Sequence, residues 1–248
     1  MSVKSTEAIS LRSYAYRESD RIVVFFTRAD GKGRGIARGA RLLKSRFGSA
    51  LEPMSYIRLI YFERENQELA FINSCDLLES HSAHRSTLEG SYYCAYFSEL
   101  LSEISQEGEA NDTLFRLLLE VLSLSPPLAW QVRARYLEIW LLRLEGVLPS
   151  LQQCDACGRA LGEESAHIAS GGQSALCRLC SSPGDFVLGS EERKLVLDIL
   201  SRRISAIDWV RWSGQALKNL GALNSKLLQY HLGKPLKSNR FLQELERC

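Results

Sequence analysis

Apolar positions change their period once along this chain. Up to residue 80 they form short β-branched and aromatic runs between polar turns; beyond residue 85 they return at every third or fourth position. In the first part, Ile22-Val-Val-Phe-Phe26 reads as a strand and Asp30-Gly31 as a hairpin turn. The return segment, Arg34-Gly-Ile-Ala-Arg-Gly-Ala-Arg41, puts Gly35, Ala37 and Gly39 on one side, and Arg34 and Arg38 on the other. Small residues suit the crowded inside of a small barrel, which turns the arginines outward. Tyr56 to Phe62, with Ile57, Leu59 and Tyr61 on one face, and Leu69 to Cys75 are further strands, joined by a polar turn from Glu63 to Glu68. Short strands with close turns predict a closed barrel of OB type, an SH3-like barrel being the alternative.

The second part is helical. Tyr93, Tyr96, Phe97, Leu100, Leu101 and Ile104 share one face, and Asn111-Asp112 caps a second helix that stops at Ser125-Pro126-Pro127. A third helix spans Ala129 to Glu145, a fourth starts at Ser190, and a fifth runs from Ser213 to Leu232 before Gly233 and Pro235. The aromatic residues on these faces read as core rather than as stacking platforms.

Between the third and fourth helices lie Cys154-Asp-Ala-Cys157-Gly158 and Cys177-Arg-Leu-Cys180. Two thiol pairs at this spacing predict a tetrahedral Zn²⁺ site, one ion per chain. Four thiolates leave no open position, so the metal would be structural; a redox-active pair is the competing reading and lacks a βαβ context. The expected fold class is α+β: a barrel over 1–80, a helical domain over 81–150 and 187–248, and a Cys₄ insertion over 151–186. Cys75 and Cys94 read as small core residues, and these with Cys248 form no second pattern. His81 and His84 read as surface residues, and His231 suits a helix C-terminus. No apolar run approaches the roughly 18 residues of a membrane span, and the opening residues carry no signal-peptide pattern, which points to a reducing cytoplasm.

A net charge of +2 conceals an asymmetry. Residues 21–46 carry eight Lys or Arg against Asp30, and residues 193–248 carry eleven against four acids, while 81–153 is acidic on balance. Two basic regions imply a polyanionic partner, nucleic acid before membrane. No GxxxxGK[ST], HExxH or GxSxG is present, so no familiar catalytic constellation is in view.

Four blocks in register carry a resemblance: Tyr16-Arg-Glu-Ser-Asp-Arg-Ile-Val-Val-Phe-Phe-Thr-Arg-Ala-Asp-Gly-Lys32 with Ile36-Ala-Arg-Gly-Ala-Arg41, Lys44-Ser-Arg46 and Leu51-Glu-Pro53; Arg135-Tyr-Leu-Glu-Ile-Trp-Leu-Leu-Arg-Leu-Glu-Gly146; the first cysteine pair; and Gly233-Lys-Pro-Leu-Lys-Ser238. Together they resemble the RecO family of bacterial DNA repair proteins over nearly the whole chain. Met54 stands where that family commonly has an aromatic residue. The resemblance implies a recombination mediator without catalytic turnover, working at the bacterial nucleoid. It would bind single- and double-stranded DNA, anneal complementary strands and, with RecR, help RecA displace single-stranded-DNA-binding protein. RecR and the acidic, apolar tail of that binding protein are the implied partners.

From the residues, Lys32 at the hairpin, Arg34 and Arg38 on the strand, and Arg41, Lys44 and Arg46 beyond it would contact phosphates without reading sequence. Lys234, Lys237 and Arg240 form a second candidate surface. Arg133 and Arg135, with Leu137 and Leu141 on the same helix, are the candidate receiver of the partner's tail. Two other readings stand beside these: a zinc-ribbon scaffold whose basic strands dock an acidic protein, and a nucleic-acid-modifying enzyme with an unfamiliar site.

Overall fold

A computed structural model describes residues 2–63, 68–124, 128–162, 164–172 and 174–245. The middle of the expected Glu63–Glu68 turn, the Ser125-Pro126-Pro127 stop and Cys248 lie outside the described residues. The chain forms two compact units: residues 1–123 with 236–245, and residues 124–235.

The first unit is built on five strands: β1 (Ser2–Tyr16), β2 (Asp20–Thr27), β3 (Gly31–Ala37), β4 (Tyr56–Glu63) and β5 (Ala70–Glu79). They close in the order β1-β2-β3-β5-β4, with β4 returning to β1. This is the OB arrangement rather than the SH3-like one. β1 closes the barrel by serving two neighbours: Ser2 to Ile9 pairs with β4 and Ala8 to Tyr16 with β2. An irregularity between Ser10 and Arg12 bends it from one to the other. The last seam is short, Gly35 opposite Ala70 and Ile36 opposite Phe71, in parallel.

Inside the barrel lie Val23, Phe25, Ile57, Leu59, Tyr61 and Ile72. The rings of Phe25 and Tyr61 meet at 5.5 Å. Gly33 and Gly35 face inward, as the alternation of β3 requires. A Cβ on Gly33 would sit 2.4 Å from the Phe25 ring, and one on Gly35 2.9 Å from Ile72. Only a strand without side chains at these places leaves room for the aromatic core.

Three helices complete this unit: α1 (Leu88–Ile104), α2 (Asp112–Leu122) and, from the far end of the chain, α6 (Lys237–Leu245). Thr87 caps α1 by accepting from the Gly90 amide, and Asn111 caps α2 by accepting from Leu114. Phe115 of α2 packs on Phe26 and Tyr56, so the outer face of β2 is covered there. α1 contacts β1 and β2 and carries α6 on its outside. Cys75 and Cys94 are buried, as expected of small core residues.

The second unit holds α3 (Trp130–Leu144), α4 (Ser190–Ser201) and α5 (Gly214–Leu232), with a small sheet in the order β7-β6-β8 from Ala175–Leu176, Ala166–Ile168 and Phe186–Leu188. α5 ends on Gly233 in the left-handed conformation, φ +68°. α3 is buried on nearly every side, and α4 and α5 both pack against it. Arg193 of α4 binds the cysteine segment to the helices: its guanidinium donates to the carbonyls of Leu151, Leu161 and Glu164 at 2.8 to 3.1 Å.

Candidate nucleic-acid surface and metal centre

At one end of the barrel the β1–β2 turn meets the segment that follows β3. The Arg41 amide donates to Ser19 O and the Gly39 amide to an Asp20 carboxylate oxygen, each at 2.9 Å. That amide, with help from Ser19 and nearby Arg17 and Arg38, holds the Asp20 carboxyl below its ordinary range. The pinned segment presents Arg38, Arg41, Lys44 and Arg46 to solvent, and Arg17 joins them from the turn. Arg41 Nη1 donates to Arg17 O at 3.0 Å, which fixes the two parts to each other. Arg38 lies over the Phe71 ring at 4.8 Å and Arg46 over Phe47 at 5.0 Å, so their stems are packed while their charges remain outside. Leu43 projects fully exposed among these cations.

The sequence reading spread this surface further along the hairpin than the fold does. Lys32 is not at the tip: it lies in β3, and its Nζ donates to Ser102 O at 2.8 Å. Arg34 points outward but pairs with Glu107 at 3.1 Å. Arg17 was missed, and its signal lay in the Tyr16-Arg17-Glu18-Ser19 turn between two strands. Lys237 and Arg240 are exposed on α6, Arg240 pairing with Glu244 at 3.3 Å; Lys234 belongs to the other unit.

The expected tail-binding residues are not at a surface. Arg133, Arg135, Leu137 and Leu141 are all buried. Arg133 donates to the carbonyls of Leu124 and Leu128 and lies over the Trp130 ring, which orders the approach to α3. Arg135 pairs with Glu138 at 3.4 Å and occupies the place of a missing side chain at Gly221 of α5. Glu138 also accepts from Asn224. A carboxylate arriving from outside would have to break these buried contacts.

His81 is likewise inside rather than on the surface, because its Nδ1 donates to Met54 O at 2.8 Å. His84 stacks on it and donates to Leu122 O. His231 sits at the C-terminus of α5, 3.5 Å from Glu145.

The cysteine segment brings the four sulfurs together. Cys154, Cys157, Cys177 and Cys180 place Sγ atoms within 4.8 Å of one another and can hold a metal ion. A tetrahedron of thiolates around a Zn²⁺ has edges of about 3.8 Å for a bond of about 2.3 Å, so the spacing fits with small adjustment. Each pair sits on a tight turn. The Gly158 amide donates to Cys154 O, with Gly158 at φ +72°, and the Cys180 amide donates to Cys177 O. Asp155 locks the two turns together: its amide donates to Ala175 O and its carboxylate accepts from the Ala175 amide. Backbone amides of Cys177, Cys157 and Ala156 aimed at Cys154 pull its thiol down to about 6. Hydrogen bonds from Cys177 and Cys157 push Cys180 up to about 12. A cation held by the four sulfurs would displace their protons.

Comparison with known proteins gives one consistent answer. Residues 1–81 match the family model described as recombination protein O N terminal, and residues 85–240 the one described as recombination protein O C terminal. The DNA repair protein RecO of Koribacter versatilis is 32% identical over 244 residues, covering 98% of this chain and all of the relative. Those of Geobacter metallireducens and Anaeromyxobacter sp. are 34% and 32% identical, each over 97% or more of this chain.

Proposed function

The chain belongs to the RecO family, and on that premise we propose that it is a recombination mediator acting on DNA without bond chemistry. It binds single and double strands, anneals complementary strands and, with RecR, helps load RecA onto DNA covered by single-stranded-DNA-binding protein. The carrying observation is the cationic end of the barrel, where Arg17, Arg38, Arg41, Lys44 and Arg46 stand exposed within two linked segments.

Annealing brings two polyanions together, so its barrier is phosphate repulsion. A rigid cluster of cations lowers that repulsion and releases condensed counterions. None of these side chains is set in a groove-reading helix, so contacts go to phosphates and the binding is indifferent to sequence. Zn²⁺ held by the four cysteines would stiffen the segment Arg193 anchors; a closed Cys₄ shell offers no site for substrate. Among the described residues no helix is long and apolar enough to cross a membrane, which agrees with work at the bacterial nucleoid.

The test is charge reversal. Arg38→Glu with Arg46→Glu should reduce affinity for a single-stranded oligonucleotide by tenfold or more, roughly, and lower the salt slope by about 1.4, the share of two phosphate contacts. Annealing of complementary oligonucleotides without added nucleotide should slow in parallel. An unchanged affinity with an unchanged salt slope would refute the assignment.

A further inference from the structure

The segment after β3 turns twice in quick succession. The Leu42 amide donates to Gly39 O at 3.1 Å and the Ser45 amide to Leu42 O at 3.0 Å, which places Leu43 and Lys44 at the corner of the second turn. Both flanks of this tip are held, Arg41 by its bonds to Ser19 O and Arg17 O, and Phe47 by burial in the barrel core. Leu42 folds back toward Gly39, where an added Cβ would meet it at 3.4 Å. Leu43 projects instead: its relative exposure is 107%, the highest of any large apolar residue among those described.

A single exposed leucine means nothing by itself. The company of this one sets it apart. Arg41, Lys44 and Arg46 stand exposed within three positions of it, and Arg17 is tied to the same tip. Residues 31–51 contain no Asp or Glu, so no acid of the segment offsets these cations. Leu43 thus occupies the centre of a surface that draws phosphates, yet it can neutralise none. What it can do is leave water for the apolar faces of the bases that the phosphates carry. Slender apolar side chains, leucine among them, enter base steps in this way and unstack them.

We propose that Leu43 is a wedge that enters a step between bases and unstacks it, while Arg41, Lys44 and Arg46 hold the flanking phosphates. The inference rests on the DNA-binding reading of this end of the barrel and adds which form of DNA the surface favours. Opening a base step costs least where the bases are unpaired or mismatched. The wedge therefore rewards single strands and mispaired sites and gives little on uninterrupted duplex. A base turned out of its own stack is also free to meet a complementary strand. An anionic lipid surface fits less well, since binding there scales with buried apolar area and one leucine buries little.

Aminopurine fluorescence, which stacking quenches, reports the event when the base analogue is placed inside a single-stranded oligonucleotide and bound by the full chain. The signal should rise on binding of the parent and of Leu43→Phe, and stay flat with Leu43→Ser. Leu43→Ser should also bind single strands about tenfold more weakly at the parent's salt slope, because it removes no phosphate contact. Its thermal unfolding and its affinity for uninterrupted duplex should stay at the parent values. No rise with the parent, a rise kept in Leu43→Ser, or equal losses on single strand and duplex overturns the proposal. The underlying surface fails separately. If Arg38→Glu with Arg46→Glu leaves affinity and salt slope unchanged, the surface is refuted and the wedge with it; if that variant is weakened while Leu43→Ser is silent, the wedge alone is refuted. Binding to phosphatidylglycerol vesicles that Leu43→Ser abolishes would assign the tip to lipid, and dimers that dissociate in Leu43→Ser would assign it to self-association; either result overturns the proposal.

Discussion

Met54 is a buried, non-glycine residue in the left-handed conformation, φ +64°. Such a backbone costs of the order of 1 kcal/mol and persists only where its neighbours over-determine it. Two do: the Met54 amide donates to Ser10 O at 2.6 Å, and its carbonyl accepts from His81. The imidazole is therefore a structural brace. His81→Ala should lower stability by about 1–3 kcal/mol, since it strands a buried carbonyl, where a surface histidine would change it by less than about 0.5 kcal/mol. Thermal unfolding at neutral pH measures the difference, and a shift within the surface range would overturn this role. Nothing in His81-Ser-Ala-His84 alone advertises this, because the partner is a backbone carbonyl 27 positions earlier. The buried arginines were more nearly readable. Arg133 and Arg135 are two apart on a helix with apolar residues on every side, so they could not share one polar face.

α6 packs on α1 and is also secured at its first turn. The carboxylate of Glu99 takes the place of an N-cap from another helix, accepting from Lys237 and Ser238. Burial alone would raise its pKa, but the Ser238 and Lys237 hydrogen bonds outweigh it and hold the group below its ordinary value. A depressed carboxyl contributes stability that is complete above its unfolded value, about 4.3, and is lost as pH falls through the folded one. Acidification below about pH 4.3 should therefore loosen α6. Glu99→Ala should cost about 1 kcal/mol, as loss of a cap does, and raise amide exchange in α6 at neutral pH. Protection unchanged from the parent would show that packing, not capping, holds the helix. The hairpin of β2 and β3 was evident from Asp30-Gly31 and the β-branched run before it, and five helices from their period and caps. β1 was not, because its polar, bulged Ser-Leu-Arg stretch breaks the alternation just after the strand changes partner. α6 was hidden by its shortness and by Pro235 just before it.

The barrel and the helical region were foreseen from the change of period, and the four cysteines from spacing alone; their sulfurs do converge. What the sequence could not give was three-dimensional charge accounting, since Lys32 and Arg34 look the same in a string as Arg38 and Arg46, yet Lys32 donates to a carbonyl of α1 and Arg34 pairs with Glu107, while Arg38 and Arg46 lie over aromatic rings with their charges outside. The metal prediction is direct. Purified protein should carry about one Zn²⁺ per chain, and Cys177→Ser should abolish it. Chelation should expose the cysteine segment to limited proteolysis while the barrel survives; a metal-free chain with an equally protected segment would end the structural-zinc account.

The unit that holds the barrel is completed by residues 236–245, after the whole second unit has intervened. A ribosome needs roughly 6 to 25 seconds to cover that interval at typical bacterial speeds. During that time the nascent barrel exposes the α1 face on which Tyr92 waits for Phe241. Newly made protein thus passes through a stage in which its first half is folded and unfinished, a stage at which chaperones or a misplaced copy of the last helix can intervene.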